Sequence, residues 1–299
     1  MTHEVRLGMI GSGFIADHYV SGLRYVPGAR VVANASTGGE RGRAFAARHA
    51  VERTYDSIAA LCADPDVDLV VISLPNHLHP DAVRAATAAG KGVLCTKPLG
   101  RNADEAAEML RLVTDAGVFH GYLENEVFAP EVMKIIGKDI SVADVFAWGA
   151  TLGHADKMTG EDNAIAILRF EDGRTATIEV SRTAKGGIEV RNEIYCERGR
   201  IIYDLGSTPI RAFLEQSVGY LAEKTDADTG WVYPVADEPR VAGYDEQFRH
   251  FVQAFRDDVE PRETFHDGFI VNTIIDAAYR SMRSGRREAV RQDVPERVA

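Results

Sequence analysis

Three groups of residues in this chain have the types and spacing to do chemistry. The first is Gly11-Ser12-Gly13-Phe14-Ile15-Ala16, which follows the apolar run Val5-Arg6-Leu7-Gly8-Met9-Ile10. A strand that turns through glycine into a helix leaves the helix's first N–H groups unpaired, and these favour an anion. Gly11 allows the tight turn, and Gly13 leaves no side chain between the backbone and a diphosphate. Phe14 and Ile15 begin the helix beside that anion, and Ala16 lets the helix pack closely on the strand. The second group closes the next apolar run: Ala33-Asn34-Ala35-Ser36-Thr37-Gly38-Gly39-Glu40-Arg41. A site for the NAD ribose usually places Asp or Glu here. Ser36 and Thr37 stand in its place with Arg41 beyond, which removes repulsion towards a 2′-phosphate and favours NADP, with NAD still possible.

The third group is Cys95-Thr96-Lys97-Pro98-Leu99-Gly100, a lysine fixed by a proline just beyond a buried apolar run. Desolvated over a cofactor, such a lysine can serve as acid or base; in solvent it is an ordinary turn residue. Between the second and third groups lies Leu74-Pro75-Asn76-His77-Leu78-His79-Pro80. Its two histidines have no third ligand nearby, so no metal is expected there. The stretch is placed instead around the nicotinamide side of the cofactor.

These residues need a scaffold that brings them to one edge. Strands are expected at 6–10, 30–35, 68–74, 92–96 and 118–121, with helices at 14–25, 40–49, 57–63, 80–89 and 103–115. Such alternation implies a parallel sheet covered on both faces, and Leu69-Val70-Val71-Ile72 is apolar on both sides as a central strand requires. Ligands of such sheets lie at the C-terminal strand ends, where strand order reverses. From residue 142 onward strands dominate (142–152, 164–170, 175–182, 189–197, 200–204), joined by tight turns such as Glu171-Asp172-Gly173, so that sheet is mostly antiparallel. One of its faces is expected on helices and the other against a second copy of the chain. The segment 211–237, with Tyr220, Trp231 and Tyr233, reads as a lid, a partner arm or an edge loop. Amphipathic helices at 245–258 and 267–284 close the chain, the second with Asp267 as its N-cap. The fold class is therefore α/β: a doubly wound parallel Rossmann domain over residues 1–122, then an α+β domain with a large, mostly antiparallel open sheet over 123–299.

With 299 residues the chain is sized for two domains, and 45% hydrophobic with 26% charged residues is a globular composition. A net charge of -11 argues against nucleic acid or an anionic membrane as partner. The cluster Arg280, Arg283, Arg286, Arg287, Arg291 is local and reads as a solvated helix end. No apolar run reaches membrane-spanning length, and Met1-Thr2-His3-Glu4 leads directly into a strand, so no signal peptide is expected. Cys62, Cys95 and Cys196 are odd in number and far apart, which fits buried thiols in a reducing cytoplasm.

Taken together, the motifs resemble the Gfo/Idh/MocA family of glucose–fructose oxidoreductase and inositol dehydrogenase. The resemblance rests on Gly8-x-x-Gly11-x-Gly13-x-x-Ala16, Asp64-Pro65-x-Val67-Asp68, Pro75-Asn76-x-x-His79, Gly90-Lys91-x-Val93-x-x-x-Lys97-Pro98-Leu99 and Asn125-x-x-Phe128-x-Pro130. It implies hydride transfer between a nicotinamide cofactor and a carbinol carbon of a sugar, polyol or related small molecule, in a homodimer or homotetramer. It also implies that Lys97 moves the proton, that Lys97–Pro98 is cis, that His79 helps place the nicotinamide ribose, and that Asn125 belongs to the cofactor site. Thr96 stands where the family has Glu. Roughly sixty residues expected of such a two-domain enzyme are missing around Lys134 and Ile136, including the Asp and His that supply the second catalytic group. His154, read as a sheet or surface histidine, does not replace them. Two other activities on the same residues are a non-catalytic cofactor-binding sensor and redox-assisted glycoside cleavage.

Overall fold

The computed structural model describes residues 4–36, 39–128, 141–183, 190–204, 212–216, 229–232, 238–291 and 293–294. Six parallel strands form the first sheet: β1 (Val5–Ile10), β2 (Ala29–Ala35), β3 (Arg53–Tyr55), β4 (Leu69–Ile72), β5 (Gly92–Thr96) and β6 (His120–Leu123). Their spatial order is β3-β2-β1-β4-β5-β6, so the chain reverses direction across the sheet between β1 and β4. Helices α1 (Phe14–Leu23), α2 (Gly39–His49), α3 (Ile58–Cys62), α4 (His79–Ala88) and α5 (Ala103–Ala116) connect the strands. The local chemistry dictates their ends. Asn102 caps α5 by accepting from Glu105 N–H at 2.9 Å, and Gly117 closes it in the left-handed region at φ 61.

Beyond β6 the described chain runs through a short 3₁₀ turn to residue 128 and resumes at residue 141 in an antiparallel sheet. Strands β7 (Val142–Ala150), β8 (Asn163–Phe170) and β9 (Thr175–Ser181) pair in sequence, and β14 (Glu288–Ala289) adds to β7. Two separate ribbons pair β10 (Arg191–Cys196) with β11 (Gly199–Asp204), and β12 (Ala212–Leu214) with β13 (Gly230–Val232). The expected antiparallel half is thus present. Tyr220, Tyr233 and most of segment 211–237 lie outside the described residues, as do Pro130, Lys134 and Ile136.

The closing helices return to the first sheet. Short α6 (Glu238–Val241) leads into α7 (Tyr244–Asp257), whose Tyr244, Phe248 and Phe251 share one core with Val5, Leu7, Leu69 and Leu94. The approach is close enough that a Cβ on Gly121 would collide with the Phe251 ring. Helix α8 (Phe265–Ser284) puts Phe265 and Phe269 into the core on the other side, with Val70, Val93 and Leu110, while its later residues Ala277 and Met282 pack with Val145 and Ala147 of β7. Its N-cap is Thr264, not Asp267. Thr264 accepts from the backbone and Asp267, at the third helical position, accepts the Thr264 N–H at 2.7 Å, a complete capping box. His154 sits in the loop after β7 and not on a strand, with Nε2 3.2 Å from the Arg182 carbonyl.

Candidate active site at the C-terminal edge of the parallel sheet

The glycine turn after β1 is built from two glycines with different reasons to be glycine. Gly11 sits at φ +114, and a Cβ there would lie 2.6 Å from the Ser73 carbonyl oxygen, so the protein itself excludes any side chain. Gly13 is extended (φ -88, ψ -175), and a Cβ there would meet nothing within 4 Å. It is also the N-cap of α1 and provides no side-chain cap. The first N–H groups of α1, on Phe14, Ile15 and Ala16, therefore face an open space bordered by backbone. That cradle fits a dinucleotide diphosphate. Ala16 is fully buried as close packing requires, whereas Phe14 is half exposed at the mouth.

Neighbouring strand ends hold this turn. Gly11 N–H donates to Ala35 O at 2.9 Å, and Ser73 N–H and Oγ both donate to Ile10 O at 2.9 Å. Asn34, fully buried in β2, donates from Nδ2 to Met9 O (3.0 Å) and Gly11 O (2.8 Å). Nothing local in the sequence points to this role for Asn34, whose backbone partners lie 25 and 23 positions away.

At the end of β2, Ser36 Oγ lies 2.9 Å from Ser12 Oγ, so two hydroxyls stand together where an acidic residue would bind an unmodified ribose. Arg41 is exposed, without an ion-pair partner among the described residues. Arg43 arches back over the start of α2, with Nη1 3.1 Å from where a Gly39 Cβ would be. It brings a second guanidinium to the same end, one that the sequence motif did not single out. Thr37 lies outside the described residues.

Past β4 come Leu74, half-buried, Pro75, exposed, and a short 3₁₀ turn over Asn76–Leu78. His79 opens α4. Its ring is fully buried, with Nε2 2.8 Å from Leu74 O and Nδ1 2.9 Å from Leu99 O. Burial lowers its pKa against the pull of those carbonyls. A neutral ring donates from only one of its nitrogens, so it bonds one of these two carbonyls at a time and packs against the other, between the turn after β4 and the lysine turn.

Lys97 follows β5, and the Lys97–Pro98 bond is cis. Two strand spacings separate β5 from β1, about 10 Å across the sheet. The lysine side chain is exposed and has no partner among the described residues. Beneath it Tyr19, buried on α1, donates to Thr96 Oγ1 at 2.7 Å, so the diphosphate helix and the lysine strand are bonded to each other. Burial pushes the Cys95 and Tyr19 pKa values up, leaving both neutral. Asn125, after β6, donates from Nδ2 to Ala242 O at 2.8 Å.

Comparison with known proteins agrees with this geometry. Residues 5–122 match the oxidoreductase family's NAD-binding Rossmann fold, and residues 131–290 match that family's C-terminal alpha/beta domain. The chain is 41% identical over 116 residues to a 1,5-anhydro-D-fructose reductase of Ensifer adhaerens, covering 39% of this chain and only 35% of that protein. It is 25% identical to myo-inositol 2-dehydrogenase of Thermotoga maritima, with 94% of this chain and 97% of that protein covered. That second alignment runs over 335 positions, more than the 299 residues available here, so the relative carries residues this chain lacks. Among solved structures, GenD2 from gentamicin A biosynthesis, in complex with NAD, superposes with a TM-score of 0.86 at 21% identity, covering 97% of both chains, and shares the fold. With both halves matched in order, the chain belongs to the Gfo/Idh/MocA oxidoreductase family.

Proposed function

We propose that the chain is an NADP(H)-dependent oxidoreductase acting on a CH–OH group of a sugar, polyol or related small molecule. The observation that carries this reading is the open cradle at Gly13 on the same sheet edge as the unpartnered Lys97. When bound, the nicotinamide supplies or accepts the hydride. The chain's own residues orient and protonate. Backbone N–H groups of Phe14 and Ile15 hold the diphosphate, and Leu74, Pro75, Asn76, Thr96, Pro98 and Asn125 border the remainder of the dinucleotide. Lys97 Nζ takes the hydroxyl proton in oxidation and returns it in reduction.

NADP over NAD is supported by the paired hydroxyls of Ser12 and Ser36, the guanidinium groups of Arg41 and Arg43, and a β2 end without a carboxylate. The substrate class is supported by the named reductase and inositol dehydrogenase relatives. Assembly as a homodimer or homotetramer is supported by the apolar face of β7 and β8, where Phe146, Trp148, Ile165 and Ile167 are all exposed in the single chain. The free, buried thiols of Cys62 and Cys95 fit a cytoplasmic setting.

The test is equilibrium binding of NADP and NAD to the full chain, followed by turnover of a sugar and polyol panel. NADP binds the tighter, and Lys97→Ala lowers turnover by about 100-fold or more while leaving binding intact. Unchanged turnover in that variant removes Lys97 from the mechanism. The shortening relative to the inositol dehydrogenase supports a second reading, a cofactor-holding sensor. Tight NADP binding with no turnover across the panel would select it.

A further inference from the structure

With no side-chain partner among the described residues, the Lys97 ammonium takes its direction from the backbone of its turn. Two side chains grip that backbone just past the lysine. His79 reaches Leu99 O from α4. Asn272 reaches Gly100 from α8: its Nδ2 donates to Gly100 O at 2.8 Å, and its Oδ1 accepts the Gly100 N–H at 3.2 Å. One buried amide thus satisfies both backbone groups of one residue, a task that needs a donor and an acceptor side by side.

The rest of α8 is arranged around this clasp. Gly268, one turn before Asn272, lets the helix come in so far that a Cβ there would lie 2.9 Å from the Tyr122 ring and 3.0 Å from Leu99 Cβ. Asp276, one turn after, accepts the Ala103 N–H at 2.9 Å. Residues four apart share a helix face, so all three meet the lysine side of the Rossmann domain. Nine residues beyond Asn272, about 14 Å along the helix, buried Ser281 accepts the Ala147 N–H of β7 at 2.9 Å. A single rigid element therefore joins the antiparallel sheet to the lysine turn.

We propose that Asn272 is a positioning residue: by clasping Gly100 it sets where the Lys97 ammonium stands at the sheet edge. The reacting geometry is then fixed from the helix that carries the C-terminal sheet, and not by the Rossmann domain alone. The functional weight of this rests on the reading that Lys97 moves the proton. Asn272→Ala leaves a buried N–H and C=O without partners, which the turn must shift to satisfy. Asn272→Asp keeps an acceptor for the Gly100 N–H but sets a carboxylate against the Gly100 carbonyl until it is protonated. Burial and that carbonyl both raise the new carboxyl's pKa.

The experiment labels the lysines of the full chain by reductive ¹³C-dimethylation and follows the Lys97 resonance, assigned by its loss in Lys97→Arg, across pH with and without NADP. In Asn272→Ala the resonance is displaced at every pH. In Asn272→Asp it is displaced at neutral pH and returns to the wild-type position as the new carboxyl protonates in acid. Lys91, held by the Asp64 and Val67 carbonyls, is the internal control and stays in place. A Lys97 resonance that overlays the wild type at all pH in both variants overturns the proposal. If Asn272→Ala fails to fold, a folded Asn272→Asp that shows no acid-dependent return overturns it equally. The resonance is read without turnover, so failure of the catalytic reading for Lys97 would show in Lys97→Ala kinetics and leave this result standing.

Discussion

Strands β4 and β8 show how differently the two halves of the molecule are finished. Every residue of β4, Leu69–Ile72, is buried, because helices cover both faces of the parallel sheet and two of them come from the far end of the chain. On β8 the residues alternate. Leu168 is buried against α8, while Ile165 and Ile167 remain 42% and 43% exposed beside Phe146 and Trp148. The first half's core is closed by helices of the same chain, whereas among the described residues β7 and β8 present an exposed apolar face. Dinucleotide binding and assembly should therefore be separable by substitution.

The largest effect is expected where the chain completes its own core. Phe251 on α7 is fully buried, packs against the Phe128 ring at 5.7 Å, and fills the space that Gly121 leaves on β6. Phe251→Ala should cost about 3–5 kcal/mol, read as a lower denaturant midpoint with loss of NADP binding. A mild cost would mean that α7 is not part of the first half's core. Next comes the glycine turn, where the two glycines predict opposite failures. At Gly13 a Cβ meets no protein atom within 4 Å and the backbone is unstrained, so in Gly13→Val the melting temperature should hold while NADP affinity falls about 100-fold, or about 2.7 kcal/mol. Gly11→Ala meets Ser73 at a positive φ and should lower the melting temperature itself. If Gly13→Val binds NADP normally, the cradle is not where the diphosphate lies.

Acid should weaken the first half through two histidines, His79 buried and His120 half-buried. Burial lowers the pKa of both His79 and His120 from the ordinary 6.5. His120 Nδ1 accepts the Phe265 N–H at 3.2 Å, which only an unprotonated nitrogen can do. A group that folds in its neutral form gives stability that is fully present above the unfolded pKa. That stability is lost as pH falls from about 6.5 through the depressed folded values. Urea midpoints measured between pH 7.5 and 5 should fall. In His120→Gln, whose amide carries no titrating proton, the slope should be shallower, and an unchanged slope would count against His120.

The sequence revealed the first half more fully than the second for a physical reason. Strand β4 is apolar on both faces, β1 and β5 carry one polar residue each (Arg6 and Thr96), and Gly11, Gly13 and Lys97 follow β1 and β5, so elements and site could be read together. Strand β3, Arg53-Thr54-Tyr55, is a three-residue polar edge without such a pattern and escaped notice. Thr264 and Asp267 are both good caps three residues apart, and only the observed hydrogen bonds show which of them begins α8. Asn34 and Asn272 were illegible because their partners are backbone groups 23 and 172 positions away, set by tertiary packing and not by local spacing. For His79 the motif located the residue, and only tertiary packing shows that its ring is buried between the Leu74 and Leu99 carbonyls.

The smallest effect on the chain's own stability, and the sharpest test of the unfinished half, is expected from Ile167→Lys. Ile167 lies opposite Phe146 and Thr177 in register, on the face turned away from α8. A substitution at so exposed a position should change the stability of an isolated chain by no more than about 0.5 kcal/mol. In a twofold assembly through this face the same lysine appears twice, each buried against apolar side chains without a counter-charge. Sedimentation should then report a species near the 32.7 kDa chain mass where the parent protein sediments as a multiple of it. NADP binding should persist, because the cradle at Gly13 draws no residue from β7, β8 or β9. If Ile167→Lys leaves the assembly intact, this face is not where copies meet; if it abolishes NADP binding as well, the two halves are not independent and the contrast between β4 and β8 loses its functional meaning.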